Sequence, residues 1–185
     1  MPAATTSARR SELLELAYEY VLEHGVAGLS LRPLAVAVSS SPRVLLFLFG
    51  SKAELVRTIL ARAREDELAL LERVRATNTG DGLIAAAAEL WGWLAADEHR
   101  GLLALWVEGY ARSLIDPSGP WAGFAATTVA DWLDVLAESG AAGEAEATLV
   151  LAVLRGAMLD LLATGDVERT TSAVNRALAR LDGPK

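Results

Sequence analysis

The sequence contains no cysteine. Disulfides, thiolate metal sites and cysteine nucleophiles are therefore excluded. The compartment is not fixed by that absence, although a reducing cytoplasm fits and is the expected location. Histidine is nearly as scarce: only His24 and His99 occur, with no His/Glu spacing that would put metal ligands on one helix face. No alternating strand pattern, internal repeat, low-complexity tract, strand-borne glycine-rich loop or G-x-S-x-G motif is found. The carboxylates are scattered as on a solvated helix surface, so neither an enzyme nor a cofactor or metal site is expected. Long apolar runs are missing too. The stretch 147–164 is cut by Arg155 and Asp160, and 83–96 by Glu89. Neither reaches the roughly 18 uncharged apolar residues of a membrane span. The N-terminus, MPAATTSARRSELLE, has no apolar core after its arginines and does not read as a signal peptide.

Proline is limited to 6 of 185 residues, while alanine and leucine dominate a composition that is 52% hydrophobic. Those two residues head the helix-propensity scale, so the expected fold class is all-α, in one or two domains. The mean hydropathy of +0.30 is high for a chain without a span. Surplus apolar surface of that kind is usually covered in an oligomer interface or a ligand cavity. The net charge is −7, but it is unevenly spread. Residues 1–60 hold six basic and five acidic side chains, and the other 125 hold eleven and nineteen. An N-terminal unit relieved of the negative excess is compatible with a polyanionic partner.

Helix punctuation divides the chain. Leu13, Leu14, Ala17, Tyr20, Val21 and Leu22 recur at helical spacing, and Gly25 stops the first helix after His24. Ser30 is placed to cap a short second helix with Leu31, Leu34, Ala35 and Val38 on its apolar face. Ser41-Pro42 is a helix start, and Gly50 a stop, on either side of the apolar run Val44–Phe49. Ser51-Lys52-Ala53-Glu54 has the form of a capping box opening a long helix over 52–76, closed by the loop-rich Thr77-Asn78-Thr79-Gly80. Further helices are expected over 82–96, 99–115, 119–138 and 144–163, and from the Asp166 cap to 181. The plan is three short helices followed by six longer ones.

Two short helices joined by a polar turn, with a third behind them, form a helix-turn-helix. Over residues 9–55 the chain resembles the DNA-binding domain of the TetR (tetracycline-repressor-like) family. The resemblance is carried by Arg10, Leu13-Leu14…Ala17, Gly25, Leu29-Ser30-Leu31-Arg32, Leu34-Ala35, Ala37, Ser41, Leu45, Phe49 and Ser51-Lys52…Leu55. It differs at Ser39, where the family usually has glycine, at Leu46, where tyrosine is usual, and at Leu48, often histidine. Helical geometry turns successive side chains by about 100°. With Leu45 and Phe49 facing the core, Arg43 and Phe47 point away, and Val44 and Leu46 lie at the sides. Arg43 would read a base or a phosphate, Phe47 would press a thymine methyl, and Ser41 would hold a phosphate. The candidate DNA contacts are Ser30, Arg32, Ser41, Pro42, Arg43, Leu46, Phe47 and Lys52.

All five tryptophans fall between Trp91 and Trp132. Core packing explains such residues in general. The resemblance implies a second reading, a helical pocket for a small effector, with Trp93, Trp106, Tyr110, Phe124, Thr128 and Arg155 as candidate lining. Glu89, Glu108 and Arg112 are further polar groups on those helices. The last two helices carry stripes, Leu149, Val153, Ala157 and Leu161 on one and Val174, Leu178 and Leu181 on the other. An intramolecular core accounts for them. The resemblance implies instead a four-helix contact with a twofold mate, through Val153, Ala157, Leu161, Val174 and Leu178.

The expected architecture is thus an N-terminal helix-turn-helix domain over 1–52 and a six-helix ligand-binding and dimerisation domain over 53–185. The function implied by the resemblance is that of a homodimeric transcriptional regulator of a double-stranded DNA operator, a repressor released by a small apolar or aromatic effector, without a membrane partner. The alternative is a dimeric small-molecule-binding or interaction protein whose helix-turn-helix no longer binds DNA.

Overall fold

The computed structural model describes residues 2–78 and 82–181, with side chains from residue 7 onward. Among them every regular element is helical: α1 (Pro2–His24), α2 (Leu31–Ala37), α3 (Pro42–Phe49), α4 (Lys52–Thr77), α5 (Gly82–Leu94), a 3-10 turn (Asp97–His99), α6 (Arg100–Ile115), α7 (Phe124–Glu138), α8 (Glu144–Thr164) and α9 (Val167–Leu181). Thr79 and Gly80 of the expected loop lie outside the described residues.

The all-α expectation holds, and three details of it change. Only α2 and α3 of the first three helices are short, because α1 runs for 23 residues. The helix expected over 119–138 starts at Phe124 rather than near 119. Gly109 explains part of that delay. A Cβ on Gly109 would sit inside contact distance of the Trp121 ring, so Trp121 is packed flush on α6 and the chain turns there before α7 begins. The expected 82–96 helix stops at Leu94, and the 3-10 turn separates it from α6.

The chain divides into two compact units, residues 1–66 with 104–124 and residues 67–103 with 125–185. The sequence places its boundary at 52/53, where punctuation is strongest. Packing places it elsewhere, because α4 and α6 are continuous helices that each contribute to both units. In the first unit α1, α2 and α3 pack on one another, around Leu13, Ala17, Leu34, Leu45 and Ile59, all fully buried. A polar seam joins α1 to α4. The Tyr18 hydroxyl donates to Asp66 at 2.6 Å, and Arg62 bonds both Glu15 and Asp66 with its guanidinium over the Tyr18 ring. Burial, then the bond to Asp66, pushes the Tyr18 phenol above its usual range.

In the second unit α8, α9 and α5 pack together. Their core includes Ala86, Leu90, Val150, Leu154, Val174 and Leu178. Glu67 is fully buried and accepts from the Trp132 indole N–H at 2.8 Å. By length and composition α8 could cross a membrane, with a mean hydropathy of 1.7 over its most apolar window. One third of that window is buried inside the chain (33%), including Ala147, Val150, Leu151, Leu154 and Leu161.

Candidate functional site

The local chemistry around α3 follows its capping residues. The Ser41 hydroxyl accepts from the Val44 N–H at 3.2 Å, with Pro42 in the first turn. Gly50, at φ +81°, ends the helix. Ser51 then accepts from the Glu54 N–H at 3.1 Å. The expected capping box is only half formed, since the Glu54 carboxylate pairs with Arg57. Ser30 precedes α2 in extended conformation without a side-chain cap bond. Its hydroxyl does not serve the role expected of it. The axes of α2 and α3 differ by 98°, within the range of a helix-turn-helix. The turn requires Ser39 at φ +50°, a left-handed conformation that favours glycine.

The helical register expected for α3 is the one found. Leu45 and Phe49 are 1% and 5% exposed, and Phe47, opposite them, is 79% exposed. Val44 and Leu46 are exposed at 39% and 40%, and Arg43 is exposed between them on the outward side. Ser30, Arg32, Ser41 and Lys52 are also exposed, and Pro42 is half-buried.

Charge pairing separates the basic side chains of this unit into two groups. Arg9 pairs with Glu12, Arg57 with Glu54, and Arg62 with Glu15 and Asp66. Arg32, Arg43 and Lys52 have no acidic partner among the described residues. One residue of the motif acts differently from the candidate contacts. Arg10 donates from Nε to the Leu48 carbonyl at 3.2 Å and lies over the Phe49 ring at 5.0 Å. A cation at the carbonyl end of a helix is favourable, so Arg10 anchors the end of α3. The motif match included Arg10, but its partner 38 residues away was not readable from spacing.

The candidate effector residues are divided between the two units. Trp106, Tyr110 and Phe124 belong to the first unit, and Trp93, Thr128 and Arg155 to the second. Trp106 is buried, Tyr110 is half-buried, and Phe124 stands edge-on to Trp121 at 5.7 Å. Thr128 is buried with no hydrogen-bond partner for its hydroxyl. Trp93 stacks on His99 at 3.7 Å and lines an open cleft of about 440 Å³ with Leu70, Arg73, Glu89, Glu98 and His99. None of the other five candidates lines that cleft. The accessory polar groups are engaged as well: Glu108 accepts from the Val26 N–H and from Arg112, and Glu89 from the Thr77 hydroxyl.

The expected subunit stripe is corrected at three positions. Leu161, Val174 and Leu178 are 5%, 1% and 3% exposed within a single chain. They are filled by intramolecular packing and have no surface left for a mate. Val153 and Ala157 are half-buried. Beside them Leu149 of the expected stripe is 48% exposed and Leu159, which the sequence did not single out, is 50% exposed, with Ala152 and Gly156 exposed between them. A Cβ on Gly156 would meet nothing within 4 Å.

No family model matches the chain. The HTH-type transcriptional regulators Rv1816 of Mycobacterium tuberculosis and Mb1846 of Mycobacterium bovis are each 29% identical over 144 residues, 75% of this chain. The chain spans 60% of the length of those relatives. Among solved structures, a TetR transcription regulator from Haloarcula marismortui matches with a TM-score of 0.75 at 17% identity, over 95% of this chain and 97% of that one. A transcriptional regulator from Rhodococcus sp. Rha1 matches with a TM-score of 0.74 at 21% identity, over 92% and 94%. These two establish the fold. The multidrug binding protein EbrR, solved with imidazole, matches with a TM-score of 0.64 at 26% identity, over 92% and 89%, and has also been solved with proflavin. The N-terminal motif, its geometry around α3 and the fold shared along nearly the whole length make the chain TetR-like in fold.

Proposed function

We propose that the protein is a DNA-binding transcriptional regulator, a repressor that works as a homodimer and is released by a small aromatic effector. The observation that carries the DNA-binding half is the charge pairing around the helix-turn-helix. Arg32, Arg43 and Lys52 are exposed and without carboxylate partners, in a chain of net charge −7 whose neighbouring arginines are paired. Unpaired cations beside an outward helix suit a groove walled by phosphates. Arg43 has the fork geometry that reads guanine. The test is fluorescence anisotropy with DNA from the region upstream of its own gene. Arg43→Ala is expected to weaken binding by about 10- to 100-fold, the range of a lost bidentate contact. Equal affinity of variant and parent would remove Arg43 from the contact set, and no binding at low salt would sink the reading.

An operator read by two half-sites needs a twofold protein. The exposed α8 stripe supports that assembly, because small residues let helices approach closely and Gly156 is not required by packing within its own chain. For the effector, the support is the concentration of tryptophans in 91–132, the unpartnered Thr128 hydroxyl and the ligands of EbrR. Proflavin is the first probe: binding that quenches tryptophan emission should also lower DNA affinity, by a coupling of about 1–3 kcal/mol. An effector that quenches without altering DNA affinity would count against release.

A second reading has its own observation. The outward face of α3 is mostly apolar, with Val44, Leu46 and Phe47 around Arg43. A dimeric small-molecule-binding protein that had given up DNA would tolerate such a face. A steep fall of DNA affinity with salt separates the two readings, since it reports displaced phosphate counterions.

A further inference from the structure

We infer that α3 reads its DNA half-site through thymine methyl groups, with Phe47 seated on them between Val44 and Leu46, and with Arg43 making the one hydrogen-bonded base contact, to guanine. The inference rests on the DNA-binding reading and specifies the bases that it selects.

The outward side of α3 is completely described. Taking the buried pair Leu45 and Phe49 as the inward direction, a turn of about 100° per residue lays Leu46, Arg43, Phe47 and Val44 in that order across the opposite face. Their exposure agrees, with the maximum of 79% at Phe47. Arg43 is the only one of the four with a hydrogen-bonding group, and it can only donate. No side chain on this face accepts. The major-groove edges of adenine and cytosine each present an amino donor, which needs an acceptor to be recognised. Guanine presents two acceptors that suit Arg43, and thymine presents a methyl group that suits an apolar side chain. A face made of one donor among three apolar side chains therefore discriminates in favour of guanine and thymine and leaves the other two bases unread. The Ser41 hydroxyl precedes the helix and lies outside this face, where it accepts the Val44 N–H at 3.2 Å. The unpaired Arg32 and Lys52 at the starts of α2 and α4 favour an occupant with anionic walls over a neutral apolar one. That favours a DNA groove over a protein partner or a lipid surface.

The full chain is used to select bound duplexes from a random pool at low salt, and the winning duplex is remade with each thymine in turn replaced by deoxyuridine. That change removes only the methyl group and keeps the base pair. Selected half-sites should carry adjacent thymines beside a guanine. Each contacted methyl removed should lower affinity about fourfold, the transfer free energy of one such group. Phe47→Ala should lower affinity for the thymine duplex, abolish the thymine–uracil difference at the base it covers, and leave the salt slope unchanged. At 79% exposure the substitution should not shift the melting temperature, which circular dichroism verifies. Equal affinity for thymine and uracil duplexes overturns methyl readout while DNA binding stands. No enrichment of any duplex overturns both; co-sedimentation with anionic vesicles in that case would assign the face to a membrane.

Discussion

Two helix faces of this chain are apolar and uncovered, and they differ in ways that separate their uses. The outward face of α3 is bulky, with Phe47 flanked by Val44 and Leu46, and it includes Arg43 with Arg32 and Lys52 on adjoining elements. The exposed stripe of α8 alternates size, with Leu149 and Leu159 on either side of Ala152 and Gly156. Large side chains among unpaired cations fill a groove with charged walls. Small residues between leucines admit the leucines of another helix at close approach. Exposure alone would call both faces sticky. Residue size and the state of the nearby cations tell them apart.

The largest break in that comparison is expected at α8. Leu149→Glu combined with Leu159→Glu should turn a dimer into a monomer, because each leucine lost from a twofold interface counts twice at about 1.5–3 kcal/mol. Sedimentation velocity reads the result, and an unchanged mass would remove the stripe from the interface. Phe47→Glu in the same experiment should leave the mass alone, since its face is proposed for DNA rather than for assembly.

A smaller effect sharpens the α3 side. Arg10→Ala should loosen the end of α3 by about 1 kcal/mol, through loss of its bond to the Leu48 carbonyl and its place over Phe49. DNA affinity should fall severalfold with an unchanged salt slope, the result expected if Arg10 acts by supporting the helix. A reduced slope would make it a phosphate contact instead.

Ser39→Gly should act in the opposite direction. Relief of a left-handed residue at φ +50° is expected to raise stability by up to about 1 kcal/mol, read as a higher melting temperature. A lower melting temperature would show that the serine side chain contributes more than its backbone costs. The change should leave α8-dependent assembly untouched.

The smallest effect lies on the subunit side. Arg169 hydrogen-bonds Asp160, and this holds the Asp160 carboxyl below the usual range. A lowered carboxylate pKa contributes stability that is present above the unfolded-state value of about 3.9 and is lost as pH falls through the folded-state value. Asp160→Asn should therefore flatten the acid limb of the stability profile slightly, because the pair is exposed to solvent. An unaltered limb would mean that the pair contributes nothing measurable.

Legibility from sequence tracked the range of the interactions involved. Ser41, Pro42 and Gly50 act within a few residues of their own positions, and the start, end and register of α3 were accordingly readable. Glu54 shows the limit even at short range: the capping box called for it to turn back to Ser51, and a nearby arginine took its carboxylate. The surroundings of the effector candidates were not legible, because they depend on distant partners: Trp93 stacks on His99 and lines a cleft, and Trp106 is buried. Leu161, Val174 and Leu178 lie on apolar stripes, and a stripe records only that a face is covered.

The sequence by itself determined what depends on local spacing and on composition: the helical elements of the described residues, the Ser41 and Gly50 ends of α3, the helix-turn-helix, and the outward position of Arg43 and Phe47. Helix propensity, caps and a 3.6-residue period are properties of neighbouring residues, so they survive without knowledge of the fold. Tertiary structure alone decided which cations are consumed by carboxylates, where Arg10 is anchored, and that α8 turns Leu161 inward and Leu149 and Leu159 outward. Each of those outcomes is settled by partners from distant parts of the chain, and spacing along one helix carries no information about them.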